Sequence, residues 1–313
     1  MTRLAPCAAR SALRGRPDVR RRWRRRGRRG QVAAVATILG LLLLVTMIAN
    51  YLSTQLPATM KLNDANHALT VENQLARLAG TLRAAAGEDV VGGEFSQPIT
   101  LGSLGAPPIA APDGSSIAAG DSGTQFSTSY TVQNGSHKIT QTTTTLIGAT
   151  FVVHLNNVYG PPADVAFDQG SVVYAQANGL PLMLDPPGVN YTGSNLTLWI
   201  PQFLGLVGNE VGVGTAELSV RLVSVLALTL PLHGYSLATG SSVVVSVTTP
   251  YAAAWLDYLS GVPALSGDVA CTPTGSAACV GPFAFGGSLG TVTLTVPATA
   301  LDIEVATYSV SLT

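Results

Sequence analysis

Charge is what this 313-residue sequence has least of. Only 21 of its last 283 residues are Asp, Glu, Lys or Arg, far below the roughly 25% of an ordinary soluble domain. That argues against a cytosolic enzyme with an ion-paired surface. Three cysteines are too few for a disulfide-rich scaffold. The short signatures of catalysis are missing too: there is no Gly-x-Ser-x-Gly elbow, no His-Glu-x-x-His and no phosphate-binding Gly-x-x-x-x-Gly-Lys, and Gly212-Val213-Gly214 lacks the third glycine of a dinucleotide loop. No enzymatic activity, cofactor or metal is expected. What remains is a chain long enough for one large or two small domains with real cores.

The zero formal charge hides a partition. Residues 1–30 carry twelve arginines against the single acid Asp18, a net of +11. Residues 31–313 carry five bases (Lys61, Arg77, Arg83, Lys138, Arg221) against sixteen acids, a net of −11. Two segments of such opposite charge do not belong in one environment.

Between them lies an uncharged stretch from Gly30 to Met60, and Val32 to Leu52 is mostly Val, Ala, Ile and Leu around Leu41-Leu42-Leu43-Leu44. As a helix rising about 1.5 Å per residue, those positions cross a hydrocarbon core of about 30 Å. Thr37 and Thr46 can bond back to helix carbonyls, and Asn50 and Tyr51 fall at the far interface. The positive-inside bias places the arginine block on the cytoplasmic side and the rest of the chain outside. Basic runs also bind nucleic acid or anionic lipid, but an arginine block abutting an apolar helix reads as a topology signal, so the lipid bilayer is the expected partner and nucleic acid is not.

A secretory signal would have a shorter apolar region and small residues at −3 and −1 of a cleavage site, which Met47 and Ile48 before Ala49 do not provide. Arg28-Arg29 followed by Gly30-Gln31-Val32 lacks the aromatic and Lys of a twin-arginine signal. The run Arg28-Arg29-Gly30-Gln31-Val32-Ala33-Ala34-Val35 resembles the class III, prepilin-type signal of archaeal type IV pilin-like proteins. The resemblance implies a prepilin-type peptidase cutting between Gly30 and Gln31 and leaving the apolar helix in the mature chain. It also implies copies of the chain, or other pilin-like subunits, packing through residues 31–56. Val35 occupies the fifth mature position, where many bacterial pilins have Glu and archaeal relatives often do not.

Pro57 is expected to kink or interrupt the helix. Beyond it, Leu62, Leu69, Leu75, Leu78 and Leu82 among polar residues predict an amphipathic stalk helix over 57–86. Residues 87–123 turn to Gly, Ala, Pro and Ser and read as a connector with at most short strands. From 124 to 313 a two-residue period predicts a mainly antiparallel β-sandwich. Its expected strands are Phe126 to Gln133 and His137 to Leu146 around an Asn134-Gly135 type I′ turn, then Ala149 to Leu155, Ser171 to Gln176, Leu196 to Ile200, Ala216 to Leu230, Ser242 to Thr248, Gly290 to Val296 and Leu301 to Leu312. One short helix is expected after Thr249 as cap and Pro250 in the first turn, with Tyr251, Trp255, Tyr258 and Leu259 on one face and Gly261 at its end. The fold class is therefore α+β. The order of Gly170 to Gln176, Pro186-Pro187, Leu196 to Pro201, Gly212 to Thr215 and a proline-led helix with Trp255 extends the resemblance to the outer domain of archaeal pilin-like proteins.

Candidate site residues are few. Cys271 and Cys279 enclose seven turn-forming residues; in an oxidising exterior they form a disulfide, and zinc would need a second pair. Cys7 is left over. Asn134, Asn190 and Asn195 begin N-glycosylation sequons in turns, where glycans would supply solubility that the few charges do not. His154, Asp164 and Asp168 are conceivable ligands of a metal centre in an anchored hydrolase, with ordinary strand and loop roles favoured; His67, His137 and His233 have no visible partners. The function expected is a membrane-anchored, surface-exposed pilin-like subunit of a filament or of cell-surface adhesion. The alternative is a single-pass surface protein that binds polysaccharide, a surface layer or a partner and does not polymerise.

Overall fold

The computed structural model describes residues 19–106, 110–119, 124–145, 150–205, 208–231, 236–262, 265, 269–273, 279, 283 and 289–313. The chain divides into two units, Met1–Pro57 and Ala58–Thr313. The first is helical: α1 spans Val19–Asn50 and a π-helical turn follows at Tyr51–Gln55. Helix α2 takes over at Leu56–Gly87, so the helical backbone is not interrupted at Pro57. Proline cannot donate, and its ring crowds the carbonyl four residues back. The π turn shifts the ladder by one residue just ahead of it, with the Leu56 N–H donating to the Tyr51 carbonyl. The result is one helix of 56 residues, Val32–Gly87.

In the second unit, α2 buries Met60, Asp64, His67, Ala68, Val71, Leu75, Leu78, Ala79, Leu82 and Ala86, a three-four spacing that lines one helical face. Leu62 and Leu69 of the expected stripe are instead 60% and 53% exposed. Asp64 and His67 occupy core-facing positions there, and polar residues in the buried phase disguise it.

Three sheets follow, mostly antiparallel. The first orders Glu94–Leu101, Gly214–Leu230, Ala300–Leu312, Asn195–Leu204 and Val189–Tyr191, its third and fourth strands pairing in parallel. The second orders Gly208–Gly212, Ser115–Ala119, Thr150–Leu155, Ala163–Asp168, Ser171–Gln176 and Leu182–Asp185. The third orders Ser236–Leu237, Gln125–Asn134, Val243–Thr249, Gly290–Val296 and Val269–Pro273, with His137–Thr145 on the other side of Gln125–Asn134. Helix α3 spans Ala252–Gly261.

Period two decides which core each side chain of the first sheet enters. Leu196, Leu198, Ile200, Leu301 and Ile303 join Phe126, Val245, Val292 and Trp255 in one core. Trp199, Ala306, Tyr308 and Val310 point the other way, into a core with the α2 stripe and with Val153, Val165 and Phe167 of the second sheet. A bulge between Leu222 and Ser224 shifts the register of the long Gly214–Leu230 strand. It changes the parity, so that Leu218, Val220 and Leu222 serve the first-sheet/α2 core while Leu228 and Leu230 serve the other. The first sheet is thus the middle layer, buried on both faces. Stacked Phe151, Phe167 and Phe203, with Tyr308 edge-on to Phe203, fill the α2 core, and the Tyr308 hydroxyl donates to the Leu82 carbonyl at 2.7 Å.

Several strands escape the sequence pattern. Ala163–Asp168 is buried at all six positions, so it shows no alternation. Glu94–Leu101, inside the expected connector, contains Pro98 and is an edge strand of the first sheet, where a missing N–H is tolerated. In the predicted hairpin the turn is Gly135-Ser136, with Asn134 paired to His137. Of these two only Gly135 has positive φ, the pattern of a II′ turn, which demands Gly first. Helix α3 begins at Ala252 with Tyr251 as N-cap and no side-chain cap; Thr249 ends a strand instead.

Leu75 is fully buried and Leu69 is exposed on the same helix. Leu75→Ala should lower the unfolding free energy by about 2 to 5 kcal/mol and Leu69→Ala by less than about 0.5 kcal/mol, as read by denaturant titration of the full chain in detergent micelles.

Candidate functional site

Two features of the structure invite function: a helix that nothing among the described residues covers, and a polar cluster buried around Asp168.

From Val32 to Leu52 every residue is exposed, including Val32 at 70%, Leu41 at 64% and Met47 at 64%. This is the one helix among the described residues long and apolar enough to cross a membrane, and the protein buries none of its apolar window. Its hydroxyls are satisfied locally: Thr37 donates to the Ala33 carbonyl and Thr46 to that of Leu43. A helix of this kind is at rest in lipid or against equally apolar helices, because every backbone group is bonded within it. Gly30 and Gln31 lie within the helical backbone of α1.

The cysteines and asparagines are placed as follows. Cys271, on the strand Val269–Pro273, is bonded to Cys279 with Cα atoms 6.0 Å apart. Asn134 is exposed at the end of its hairpin strand and Asn190 is exposed within Val189–Tyr191. Asn195 is only half-exposed, and its Nδ2 donates to Asp302 Oδ2 at 3.1 Å. Asn134 and Asn195 are strand-end residues that border turns, and Asn190 lies within a paired strand. Cys7 and His233 fall outside the described residues.

The three residues weighed as metal ligands divide. His154 and Asp164 are cross-strand partners, and Nδ1 lies 2.6 Å from Oδ1. The hydrogen bond that His154 donates to Asp164 raises its pKa above the ordinary value. Burial on its own pushes the Asp164 carboxyl up, but a contact this short to an imidazole opposes that, and the geometry favours the ion-paired form. Asp168 sits two alternations along the same strand, fully buried, and is spoken for. Its Oδ2 accepts from Thr249 Oγ1 at 2.7 Å and Trp255 Nε1 at 2.9 Å, and its Oδ1 accepts from Thr150 Oγ1 at 3.3 Å. Among the described residues no three His, Cys, Asp or Glu side chains converge as a metal would require.

Asp168 is therefore a structural node that joins the second sheet to the third sheet and α3. Its position follows from the turn Asp168-Gln169-Gly170-Ser171, in which Gln169 and Gly170 both have positive φ. A Cβ on Gly170 would come within 2.6 Å of the Trp199 ring, so glycine is demanded twice over. Arg83 of α2 closes the same corner. It donates to the carbonyls of Gly170 and Pro186 and lies 5.2 Å over the Trp199 ring. Neither this turn nor the pairing of Asp168 with Thr249 and Trp255, about eighty positions away, was read from the sequence.

Beside α3 lies a pocket of about 450 Å³ lined by Leu180, Leu182, Ala253, Leu256, Asp257 and Cys279. Leu182 belongs to an edge strand of the second sheet, so the pocket is apolar with one carboxylate at its wall. No protein-family model, curated protein or solved structure matches the chain.

Burial pushes the Asp168 pKa up from 3.8 to about 6, against the pull of its three donors. Between those values the folded state holds a proton that the unfolded state has released, so stability falls as pH rises through this window and is level above it, by about 3 kcal/mol in all. Asp168→Asn keeps an acceptor for Thr249 and Trp255 and has no charge to bury. Its unfolding free energy should fall less than that of the wild type between pH 4 and pH 7, by most of that amount, in urea titrations at each pH; equal slopes would show that Asp168 ionises as though in water.

Proposed function

We propose that the chain is a membrane-anchored, surface-displayed structural subunit of the pilin-like kind, not an enzyme. The observation that carries this reading is the single 56-residue helix: its first part exposes only apolar and uncharged side chains, and its second part is the core helix of the β domain. That division is what a subunit needs if it is stored in a bilayer and then transferred into a bundle of like helices, because the exchange of one apolar environment for another costs little desolvation. The twelve arginines ahead of the helix support a cytoplasmic N-terminus and an outward β domain. On this reading a prepilin-type peptidase cuts between Gly30 and Gln31. The partners are the lipid bilayer and copies of the chain or similar subunits through residues 31–56. Asn134 and Asn190 carry glycans more readily than Asn195, and the displayed surface serves filament formation or adhesion of an archaeal cell.

The pocket beside α3 favours a second reading, a single-pass surface protein that binds a ligand or partner without polymerising.

Mass spectrometry of the membrane-bound protein should find a chain beginning at Gln31, with or without cyclisation of the glutamine. An intact arginine block would sink the pilin-like reading. Shearing of cells should release the protein as fibres visible by electron microscopy, whereas recovery wholly in the membrane fraction would favour the non-polymerising alternative.

A further inference from the structure

The long strand Gly214–Leu230 has an open edge. From Leu218 to Leu230 one side of it pairs with Ala300–Leu312. On the other side Glu94–Leu101 covers only Gly214 to Arg221, and Leu222 closes the ladder by bonding to Gly92 and Gly93. Among the described residues no strand continues the sheet beside Val223 to Leu230 on that side. Alternate residues of a strand turn their N–H and carbonyl to the same side, so this edge is a row of main-chain donors and acceptors that another strand can complete. Natural edges are protected by charge, proline or irregularity. Val223-Ser224-Val225-Leu226-Ala227-Leu228-Thr229-Leu230 has no charge and no proline, and past the bulge its register is regular from Ser224 to Leu230. Val223 and Leu226 are exposed, the latter at 69%, and so are Val90 and Val91 in the turn before Gly92.

The direction of the strand decides what can occupy this edge. His67 and Gln74 of α2 bond to Thr100, and the helix leads through a turn into Glu94, so Glu94–Leu101 runs back along α2. Gly214–Leu230 is antiparallel to it and therefore runs the same way as α2. Leu222 pairs with Tyr308, whose hydroxyl bonds to the Leu82 carbonyl. From there the strand continues for about 27 Å, against about 8 Å of helix left before Gly87. The open edge thus lies past the end of α2, and the apolar segment precedes the other end of that helix. Two like edges pair antiparallel across a two-fold axis normal to the sheet, which reverses the strand and α2 with it. Copies standing side by side in one surface keep their helices pointing the same way and do not meet this condition; copies on two facing surfaces do.

We propose that Val223–Leu230 is a homophilic docking edge, which pairs antiparallel with the same strand of a copy displayed on a facing surface and joins two first sheets into one. The proposal rests on the anchored, outward-facing reading given above and supplies the partner for adhesion. An uncharged, aliphatic strand is the complement this edge calls for, and the edge is itself such a strand. Charge does not oppose the pairing at close range. The acids nearest the edge on the adjoining strand, Asp302 and Glu304, lie opposite Thr229 and Ala227, so those of two paired copies stand three strand spacings apart, about 14 Å, beyond a screening length of about 8 Å. The strip is about 27 Å long and about 10 Å deep, well below the roughly 800 Å² per partner of a stable interface. Single pairs are therefore weak, and adhesion comes from many pairs formed at once between two densely covered surfaces.

The test places the full chain, carrying Cys7→Ser, in phosphatidylcholine vesicles, with flotation to establish insertion and protease accessibility to establish that the β domain is outside. Loaded vesicles should cluster, with turbidity roughly tenfold above that of empty vesicles, and should not recruit empty vesicles of a second colour. Leu226→Lys alters an exposed side chain, so its Tm should stay within about 2 °C of the parent. Its clustering should fall at least roughly tenfold, because a charge on an edge strand blocks pairing. Contact between surfaces is read directly with Ala227→Cys. When vesicles bearing two differently tagged copies are mixed, a short bismaleimide should join the two tags through residue 227, and should not join them through Leu69→Cys on the exposed face of α2. Clustering undiminished in Leu226→Lys, recruitment of empty vesicles, tags joined through residue 227 no more than through residue 69, or inserted and outward-facing chains that leave vesicles dispersed would each overturn the proposal alone. A chain that does not float with lipid would overturn the anchored reading and the proposal with it.

Discussion

The β domain depends on the buried stripe of α2. Val71, Leu75, Leu78 and Leu82 have no exposed surface, and each contributes about 1.5 to 3 kcal/mol as its apolar area leaves water. The stripe gives the first and second sheets a common surface to pack on. Without it the Trp199, Ala306, Tyr308 and Val310 face of the first sheet would keep only its contacts with second-sheet residues such as Phe151 and Phe167. The hydroxyl of Tyr308 on the Leu82 carbonyl and the guanidinium of Arg83 on the carbonyls of Gly170 and Pro186 add direction to an attraction that has none of its own. Polar contacts here set where the helix lies, and the apolar stripe makes it stay.

The same helix meets opposite requirements along its length. Up to Leu52 its side chains are apolar on all sides and exposed, whereas from Met60 only one face is buried. The change occurs across the π turn at Tyr51–Gln55 and Pro57, where a kink was expected. The proposed subunit role rests on these two stretches, the exposed apolar one and the one-sided buried one, following each other in one helical run. The charge partition, +11 in residues 1–30 and −11 in the remainder, is the second observation on which the proposed topology rests.

Sparse charge in the domain makes each buried ionisable group consequential. Asp168 has three side-chain donors and joins two sheets to α3. Asp164 has His154. Asp64 has neither donor nor cation among the described residues. In a low-dielectric interior the first two are tolerated only because their partners are in place.

Local chemistry was enough to read a great deal from the sequence. The length and lack of charge of residues 32–52, the α+β class, the short helix with Trp255 and most of the long strands follow from periodicity, turn residues and charge, all properties of neighbours along the chain. What escaped depended on contacts between distant residues. Ala163–Asp168 carries two aspartates yet is a central strand buried on both faces, because the partners that satisfy them come from Thr150, His154, Thr249 and Trp255. Asp64 and His67 masked the true phase of α2, since a polar residue in a core position is recognisable only once its surroundings are known. The turn at Gly135-Ser136 in place of Asn134-Gly135 was likewise settled by strand register, which the turn residues alone leave open by one position. Sequence by itself determined which segments are apolar, amphipathic or alternating; only the tertiary structure decided which polar groups those segments could bury, because a buried charge is permitted by its partners and those partners are brought together by the fold.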